Sequence, residues 1–435
     1  MSIDLFLGID FGTGGCRAAA IDDRGELRAG AAVELPPPRR RDGGSEQDPA
    51  LWWTALLHTL RILRDRIDPA AVRALAVDGT SASLLLADAA GEPLGPALMY
   101  DDTRSQAEAA RIAVIAPAEC GAHGATSALA KLLHVQDEPE RRGARHALHQ
   151  ADWVSGRLGG AYGVSDENNC LKLGYDSVDR RWPDWLDRLG ARRELLPRVV
   201  PPGTVIGPLR AADVLRLGYP ADLRVVAGTT DSVAAFLAAG SAAGTPETGT
   251  AVTSLGSTLV LKVLSDRPVF APQYGVYSHR LGDRWLAGGA SNSGGKVLRH
   301  FFSQTALDAM TPRLTPARPT GLDYYPLAAP GERFPHNDPA FPPRLIPRPA
   351  DDVVFFQGLL EGIARIEAQG YQLLARLGAP YPTHVLTVGG GARNAAWSAI
   401  RQGLLQVPLR PARSEQACVG AALLALRALT GAGEN

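Results

Sequence analysis

The chain has 435 residues, with 45 basic and 45 acidic side chains and no formal net charge. That length exceeds one ordinary hydrophobic core and predicts two domains, while the charge balance offers no global field to draw nucleic acid or an anionic membrane, so any anion must be met locally. Cys16, Cys120, Cys170 and Cys418 form no C-x-x-C pair, Cys120 with His123 has no second pair to complete a zinc site, and neither a basic leader nor a bilayer-length apolar stretch is present; the expectation is a soluble, cytoplasmic protein without a disulfide framework, a membrane partner or a nucleic-acid partner.

The first predicted strand, at 5–9, runs into Asp10 and then into a turn of Gly and Thr, "LGIDFGTGG". A Rossmann loop wants G-x-G-x-x-G after its strand and a Walker loop wants G-x-x-x-x-G-K-[ST]. This stretch is neither. A second strand at 16–21, a reverse turn at Asp23, Arg24 and Gly25 and a third strand follow, and then a helix over 51–67 with Trp53, Leu56, Leu57, Leu60, Leu63 and Ile67 on one face. Short buried strands are predicted at 72–77 and 84–87, the second opening a hairpin through Asp88, Gly91 and Pro93. The polar segment 163–176 has two readings: a substrate-facing loop, or a solvated helix capped by Ser165 and Asp166.

A strand at 223–227 leads to an apolar helix that begins at Asp231, with Thr229 or Thr230 as its cap. The Gly/Ala-rich segment 234–249 suits a switch between domains. From residue 248, "TGTAVTSLGSTLVLKVLS" repeats the opening theme of strand, small polar turn and strand, which predicts two related halves. Pro312 to Pro349 reads as an ordered surface loop or insertion, and 355–378 as a helix burying Leu360, Ile363, Ile366 and Leu373. The last motif is a strand at 384–388, a triple-glycine turn and a helix starting near Asn394. The class is α/β.

Several of these turns suit a nucleoside triphosphate. Glycine and hydroxyl turns let backbone N–H groups approach phosphate oxygens, and a strand-end carboxylate can hold a divalent cation through water. "DFGTGG" supplies Asp10 for a metal and Thr13, Gly14 and Gly15 for phosphate, against the alternative of a plain hairpin. "TSLGST" at 253–258 offers a second such turn, and Gly390, Gly391 and Asn394 would meet a base or ribose, with Trp397 read as a core residue. Asp231 either favours its helix N-terminus electrostatically or accepts a proton from an attacking hydroxyl. Asp78, Thr80 and Ser81 suit a polyol, and Asp102 and Arg104 of "MYDDTR" belong to the same pocket or to a surface turn.

In this order, "GIDFGTGGCRAA", "AVDGTSASLLLADAAGEPL", "MYDDTR", "ADWVSGRLGGAYGVSDENNCLKLGYD", "AGTTDSVAAFLAAG", "TSLGSTLVLK", "GGASNSGG" and "VGGGARNAAW" make a chain that resembles the FGGY carbohydrate kinases of the actin-like ATPase superfamily, nearly end to end. "DGTS", "SDENNCLKLGY" and "GTTDSVAAFLA" look most like the small, xylulokinase-like D-ribulokinases of cyanobacteria and plants.

The resemblance implies two ribonuclease H-like domains with a cleft between them, 1–238 on the sugar and phosphate side and 239–435 on the nucleotide side, the last helix free to pack back on the first domain. It also implies ATP, Mg²⁺ and a pentulose as ligands, with transfer to D-ribulose, and xylulose or a pentitol as the near alternatives. Carried over by motif, Asp10 is associated with the metal, Thr13, Gly14 and Gly256 with phosphates, Gly390, Gly391 and Asn394 with the adenosine end, and Asp231 with general-base catalysis; Asp10, Ser81, Asp231 and Ser232 would line the sugar pocket. One departure stands out: many relatives carry serine where this chain has Gly14, which removes a hydroxyl from the first phosphate turn. Two rivals from other classes are an ATP-driven chaperone on the same core, which would need a further domain not visible after residue 400, and a non-catalytic sugar- or nucleotide-binding protein.

Overall fold

The computed structural model describes residues 3–240 and 246–431. The chain divides into two compact units, one of residues up to 245 together with 416 onward, the other of residues 246–415. The start of the expected switch segment ends a helix of the first unit, and its residues 241–245 lie outside the described residues.

The sheet of the first unit contains β1 (Leu5–Gly12), β2 (Gly15–Asp22), β3 (Leu27–Glu34), β4 (Val72–Gly79), β5 (Val205–Pro208) and β6 (Arg224–Thr230), in the order β5-β6-β4-β1-β2-β3. β1, β2 and β3 are antiparallel neighbours, whereas β4 runs parallel to β1 and β6 parallel to β4. β1 is buried along its length up to Gly12 because its apolar side chains face both ways, as a central strand covered on both sides requires.

Helix α1 (Pro49–Arg64) starts at the Asp48 cap, whose carboxylate accepts from Ala50 N–H, with Pro49 preset for the first turn. It lays Trp52, Leu56, Leu60 and Leu63 against β2 and β3. The helix stops at Arg64, short of the expected 67, and Ile67 is only half-buried beyond it. Four more helices of this unit matter below: α2 (Ala128–Val135), α3 (Gln150–Gly159), α4 (Glu167–Leu171) and α5 (Asp231–Ala239).

The second unit carries β7 (Thr250–Leu255), β8 (Leu259–Ser265), β9 (Tyr277–Leu281), β10 (Arg284–Ser291), β11 (His384–Val388) and β12 (Leu409–Pro411), in the order β9-β10-β8-β7-β11-β12. With β5 and β9 set aside, both sheets have the same five-strand order and the same senses, β3-β2-β1-β4-β6 and β10-β8-β7-β11-β12. Two ribonuclease H-like halves are therefore the architecture.

α6 (Asp352–Arg376) buries Leu360, Ile363, Ile366 and Leu373, and α7 (Ala395–Leu405) follows the glycine turn. The proline-rich stretch 312–349 is more than a surface loop: Tyr324, Leu327 and Phe334 are buried in the hydrophobic cluster of this unit, filling volume that the helices leave open.

α8 (Ala417–Thr430) belongs to the first unit, where it packs on β1 and α5. The contact is backbone to backbone. A Cβ on Gly8 would stand 1.8 Å from the Cys418 carbonyl oxygen, and one on Gly420 would stand 1.8 Å from the Ala234 carbonyl oxygen. Glycine at both places lets the helix seat directly behind the strand that carries Asp10.

Candidate active site

In the first unit, register brings the chemistry together. Asp10 of β1 lies opposite Asp78 of the parallel β4, and Asp78 lies opposite Thr229 of β6, one residue before the strand's last. β6 passes straight into α5, so Asp231 opens that helix at the same edge of the sheet, half-buried, with Ser232 beside it. Thr230 sits at the helix cap position, but its hydroxyl makes no capping bond; the Thr229 hydroxyl instead accepts from Asn168 Nδ2 at 3.0 Å. Ser232 N–H donates to Asp231 Oδ1 at 2.6 Å.

The acids have little cationic relief. Arg17, opposite Asp10 on β2, donates to Asp10 Oδ2 at 3.3 Å and is half exposed. Asp78 is fully buried, neither of its oxygens has a donor among the described residues, and it meets the Asp10 carboxyl. Burial first, then the charges of Asp10 and Asp231, hold the Asp78 carboxyl well above the usual range.

A hard divalent cation fits this donor set, because Mg²⁺ takes one or two carboxylates and completes its shell with water and phosphate oxygens. Asp10, slightly exposed at the strand end, is the residue placed to meet it. Among the described residues no three His, Cys, Asp or Glu side chains gather closely enough to form a metal cage.

Thr13 and Gly14 form the two-residue tip between β1 and β2, Thr13 half-buried and Gly14 exposed. Gly14 O accepts from Leu35 N–H at 3.0 Å, and a Cβ on Gly14 would meet no atom within 4 Å. Steric demand does not explain the glycine.

Ser81 rides on a clamped turn. Ala82 next to it holds φ of +70°, a conformation that L side chains rarely adopt, so the surroundings must impose it. Gln150 Oε1 accepts from Thr80 N–H at 3.2 Å and from Thr80 Oγ1 at 3.0 Å; Ser83 Oγ lies 2.6 Å from Thr80 Oγ1 and accepts from Tyr100 N–H at 3.0 Å. Lys131 of α2, fully buried, donates to Ala82 O at 2.8 Å and to Met99 O at 2.6 Å, and burial pushes its ammonium down to about 7. Ser81 Oγ itself is buried and has no partner among the described residues. An unmet hydroxyl on a rigid turn is a ready contact for a sugar hydroxyl.

Lys131 was legible only as a lone charge in the apolar run "ALAKLLHV". Asp102, by contrast, is spent on structure: buried, it accepts from Ser45 N–H at 2.8 Å and from Arg104 Nη2 at 2.7 Å. The 163–176 segment follows the capped-helix reading in part. Asp166 does cap α4, accepting from Asn168 and Asn169 N–H, but the helix is buried, not solvated.

The second unit holds a cavity of about 840 Å³ whose lining includes Gly256, Ser257, Gly390, Gly391, Asn394 and Trp397. Thus the second phosphate-type turn and the triple-glycine turn share one recess. Gly389, at φ of +89°, would set a Cβ 2.8 Å from Leu255 O, whereas Gly390 is exposed and open. Asn394 caps α7, its Oδ1 accepting from Trp397 N–H at 2.9 Å while Nδ2 donates to Thr311 Oγ1 at 3.4 Å. Trp397 is a core residue, its indole N–H donating to Leu360 O at 3.1 Å.

Beneath the recess lies a buried network that sequence reasoning missed. Arg401 forks onto Glu367 at 2.6 and 2.7 Å and donates to Thr387 Oγ1 at 3.0 Å, and Thr253 Oγ1 donates to Glu367 at 2.6 Å. It ties β7 and β11 to α6 and α7 just below the two turns.

The model described as "FGGY family of carbohydrate kinases, N-terminal domain" matches residues 5–238, and the corresponding C-terminal domain model matches 251–429. The chain belongs to the FGGY family of carbohydrate kinases. This FGGY kinase is 26% identical over 417 residues to the xylulose kinase of Escherichia coli K12, covering 90% of this chain and 83% of that protein. It is 29% identical over 445 residues to the xylulose kinase of Streptomyces coelicolor, covering 98% and 88% respectively. The crystal structure of a xyloylose kinase from Brucella ovis aligns with a TM-score of 0.89 at 28% identity, over 98% of this chain and 91% of that one.

Proposed function

We propose that this FGGY kinase transfers the γ-phosphoryl group of MgATP to the terminal hydroxyl of a pentulose, D-ribulose in the first place, forming D-ribulose 5-phosphate and ADP. The carrying observation is the strand-end group in the first unit: Asp10 opposite Asp78, with Asp231 at the end of the neighbouring strand and the unmet Ser81 hydroxyl nearby in sequence to Asp78. The recess of about 840 Å³ in the second unit supports the nucleotide half of the reading.

In this reading Asp231 orients the sugar hydroxyl and accepts its proton as the oxygen attacks the γ-phosphorus; the bond from that phosphorus to the β–γ bridging oxygen breaks, and ADP leaves. Mg²⁺, when bound, offsets the charge of the phosphates, and Asp10 would hold it through water. Ser81 and Ser232 supply hydroxyls to the polyol. Thr13, Gly14 and Gly256 offer backbone and hydroxyl donors to phosphate. Gly390 gives the adenosine an open backbone surface, Gly391 lets the turn close on Trp397 and Leu255 beneath it, and Asn394, committed to its helix cap, would act there by shaping the turn.

D-Xylulose is the second reading, favoured by the names of the relatives, and it differs from D-ribulose at one stereocentre. ADP release measured with D-ribulose, D-xylulose and ribitol decides between them, as the preferred substrate has the higher kcat/KM. Asp231→Asn should lower kcat by about 10²–10⁴-fold with nucleotide affinity retained. Full sugar-dependent turnover in that variant removes Asp231 from the chemistry.

A further inference from the structure

After α4 the first unit doubles back in a short hairpin, in which Asp176 and Arg181 exchange backbone hydrogen bonds of 3.0 and 3.2 Å. Its turn holds Arg180 at φ of +51°, inside the left-handed region, so the arginine's direction is imposed by its setting. Beside it opens a cavity of about 430 Å³ whose lining includes Tyr175, Arg180, Arg181, Trp182, Arg193 and Arg198, and no carboxylate. Four arginines therefore line one small concave space in a chain with no net charge.

The pocket is built on fixed parts. Trp182 donates its indole N–H to Pro197 O at 3.1 Å and meets the Tyr175 ring edge-on at 5.1 Å. Arg193 Nη2 donates to Pro183 O at 2.8 Å, and its guanidinium pairs with Asp187. Arg180 is anchored through Nε to the buried Glu167 at 2.8 Å, which leaves its terminal nitrogens for another acceptor. The other two cations are barely engaged: Arg181 meets only the exposed Asp179 among its acidic neighbours, at 3.3 Å, and the Arg198 guanidinium has no partner among the described residues.

Guanidinium forks match phosphate oxygens in geometry and charge. An aromatic floor adds a flat apolar face suited to the C–H face of a small sugar. We propose that this pocket binds a phosphate monoester carried on a small polyhydroxylated body. Arg181 and Arg198 grip the phosphate, together with the free nitrogens of Arg180, and Trp182 supports the carbon skeleton.

The test is isothermal titration calorimetry of the full chain with D-ribose 5-phosphate and, separately, with inorganic phosphate. D-Ribose 5-phosphate is expected to bind with a Kd of about 0.1–1 mM and inorganic phosphate about tenfold more weakly, since it lacks the body that the rings hold. Arg181→Ala/Arg198→Ala, two exposed positions outside the proposed kinase site, should weaken D-ribose 5-phosphate binding at least tenfold while kcat and sugar KM stay unchanged. Trp182→Phe should close the gap between the two ligands. Equal D-ribose 5-phosphate binding in the wild type and the double arginine variant would overturn the proposal, because any binding would then lie elsewhere. Absence of heat at about 10 mM in the wild type would overturn it as well.

Discussion

The two units share one strand plan and treat its centre in opposite ways. In the second sheet the first and fourth strands set Thr253 opposite Thr387, and both hydroxyls close on a bidentate Arg401–Glu367 pair with no solvent exposure. In the first sheet the same two strands set Asp10 opposite Asp78, and among the described residues no buried cation answers them. A satisfied buried network is rigid, and here it braces the floor of a recess. An unsatisfied one stores demand for hydrogen bonds and positive charge, which a hydrated cation or a substrate hydroxyl can meet. The chain carries the frame twice. Its two copies were spent differently.

The comparison breaks most visibly if the braced side is not braced. Arg401→Ala leaves Glu367 buried without its cation and should destabilise the fold by about 3–5 kcal/mol in urea denaturation. The double variant Arg401→Leu/Glu367→Leu should recover most of that loss, since the desolvation penalty goes with both charges. A single variant as stable as the wild type would show that the pair holds nothing.

Burial in the first unit should also appear as pH dependence, even at a carboxyl whose oxygens are hydrogen-bonded. Burial and the charge of Asp152 push the Asp166 carboxyl up to about 7. Its folded value lies above its unfolded value, so the folded state holds the extra proton between roughly pH 4 and 7. The stability it contributes is present below the unfolded value and is lost as pH rises to about 7. Asp166→Asn keeps the capping oxygen and should flatten that slope in denaturation midpoints measured from pH 4 to 8. A slope left intact would assign the dependence to other groups.

A smaller effect concerns the clamp under Ser81. Lys131→Met removes both donors to the 80–83 and 99–102 turns and should raise the sugar KM about tenfold with nucleotide KM unchanged. A parallel rise in both constants would mark a general loss of structure. The smallest change is Gly14→Ser, which meets no steric obstacle. The added hydroxyl should tighten ATP binding by about two- to fivefold, the worth of one modest hydrogen bond; weaker binding would remove the tip of this hairpin from the phosphate site.

Much of this was legible along the chain. The run 5–9 ending in Asp10, the strand at 72–77 and the strand at 384–388 with its glycine turn all appear where apolar periodicity put them, because strands buried on both faces advertise themselves locally. Asn394 was visible as a helix start. Its commitment to Trp397 N–H and Thr311 was not, since capping geometry and a partner 83 residues distant leave no mark on the local pattern. Thr230 takes the expected cap position before Asp231 without a side-chain capping bond, and Thr229 is met by Asn168 from 61 residues away.

Sequence alone determined the α/β class, the repeated half, the acidic strand ends and the family, since hydrophobic period and turn chemistry are local properties that the order of residues writes directly. Tertiary structure decided which acids meet and which are satisfied. Asp10 and Asp78 become neighbours only through strand register, and Lys131 finds its two carbonyls 32 and 49 residues away only through packing. Register and burial set a carboxyl's charge and a hydroxyl's freedom, and both arise from the folded whole.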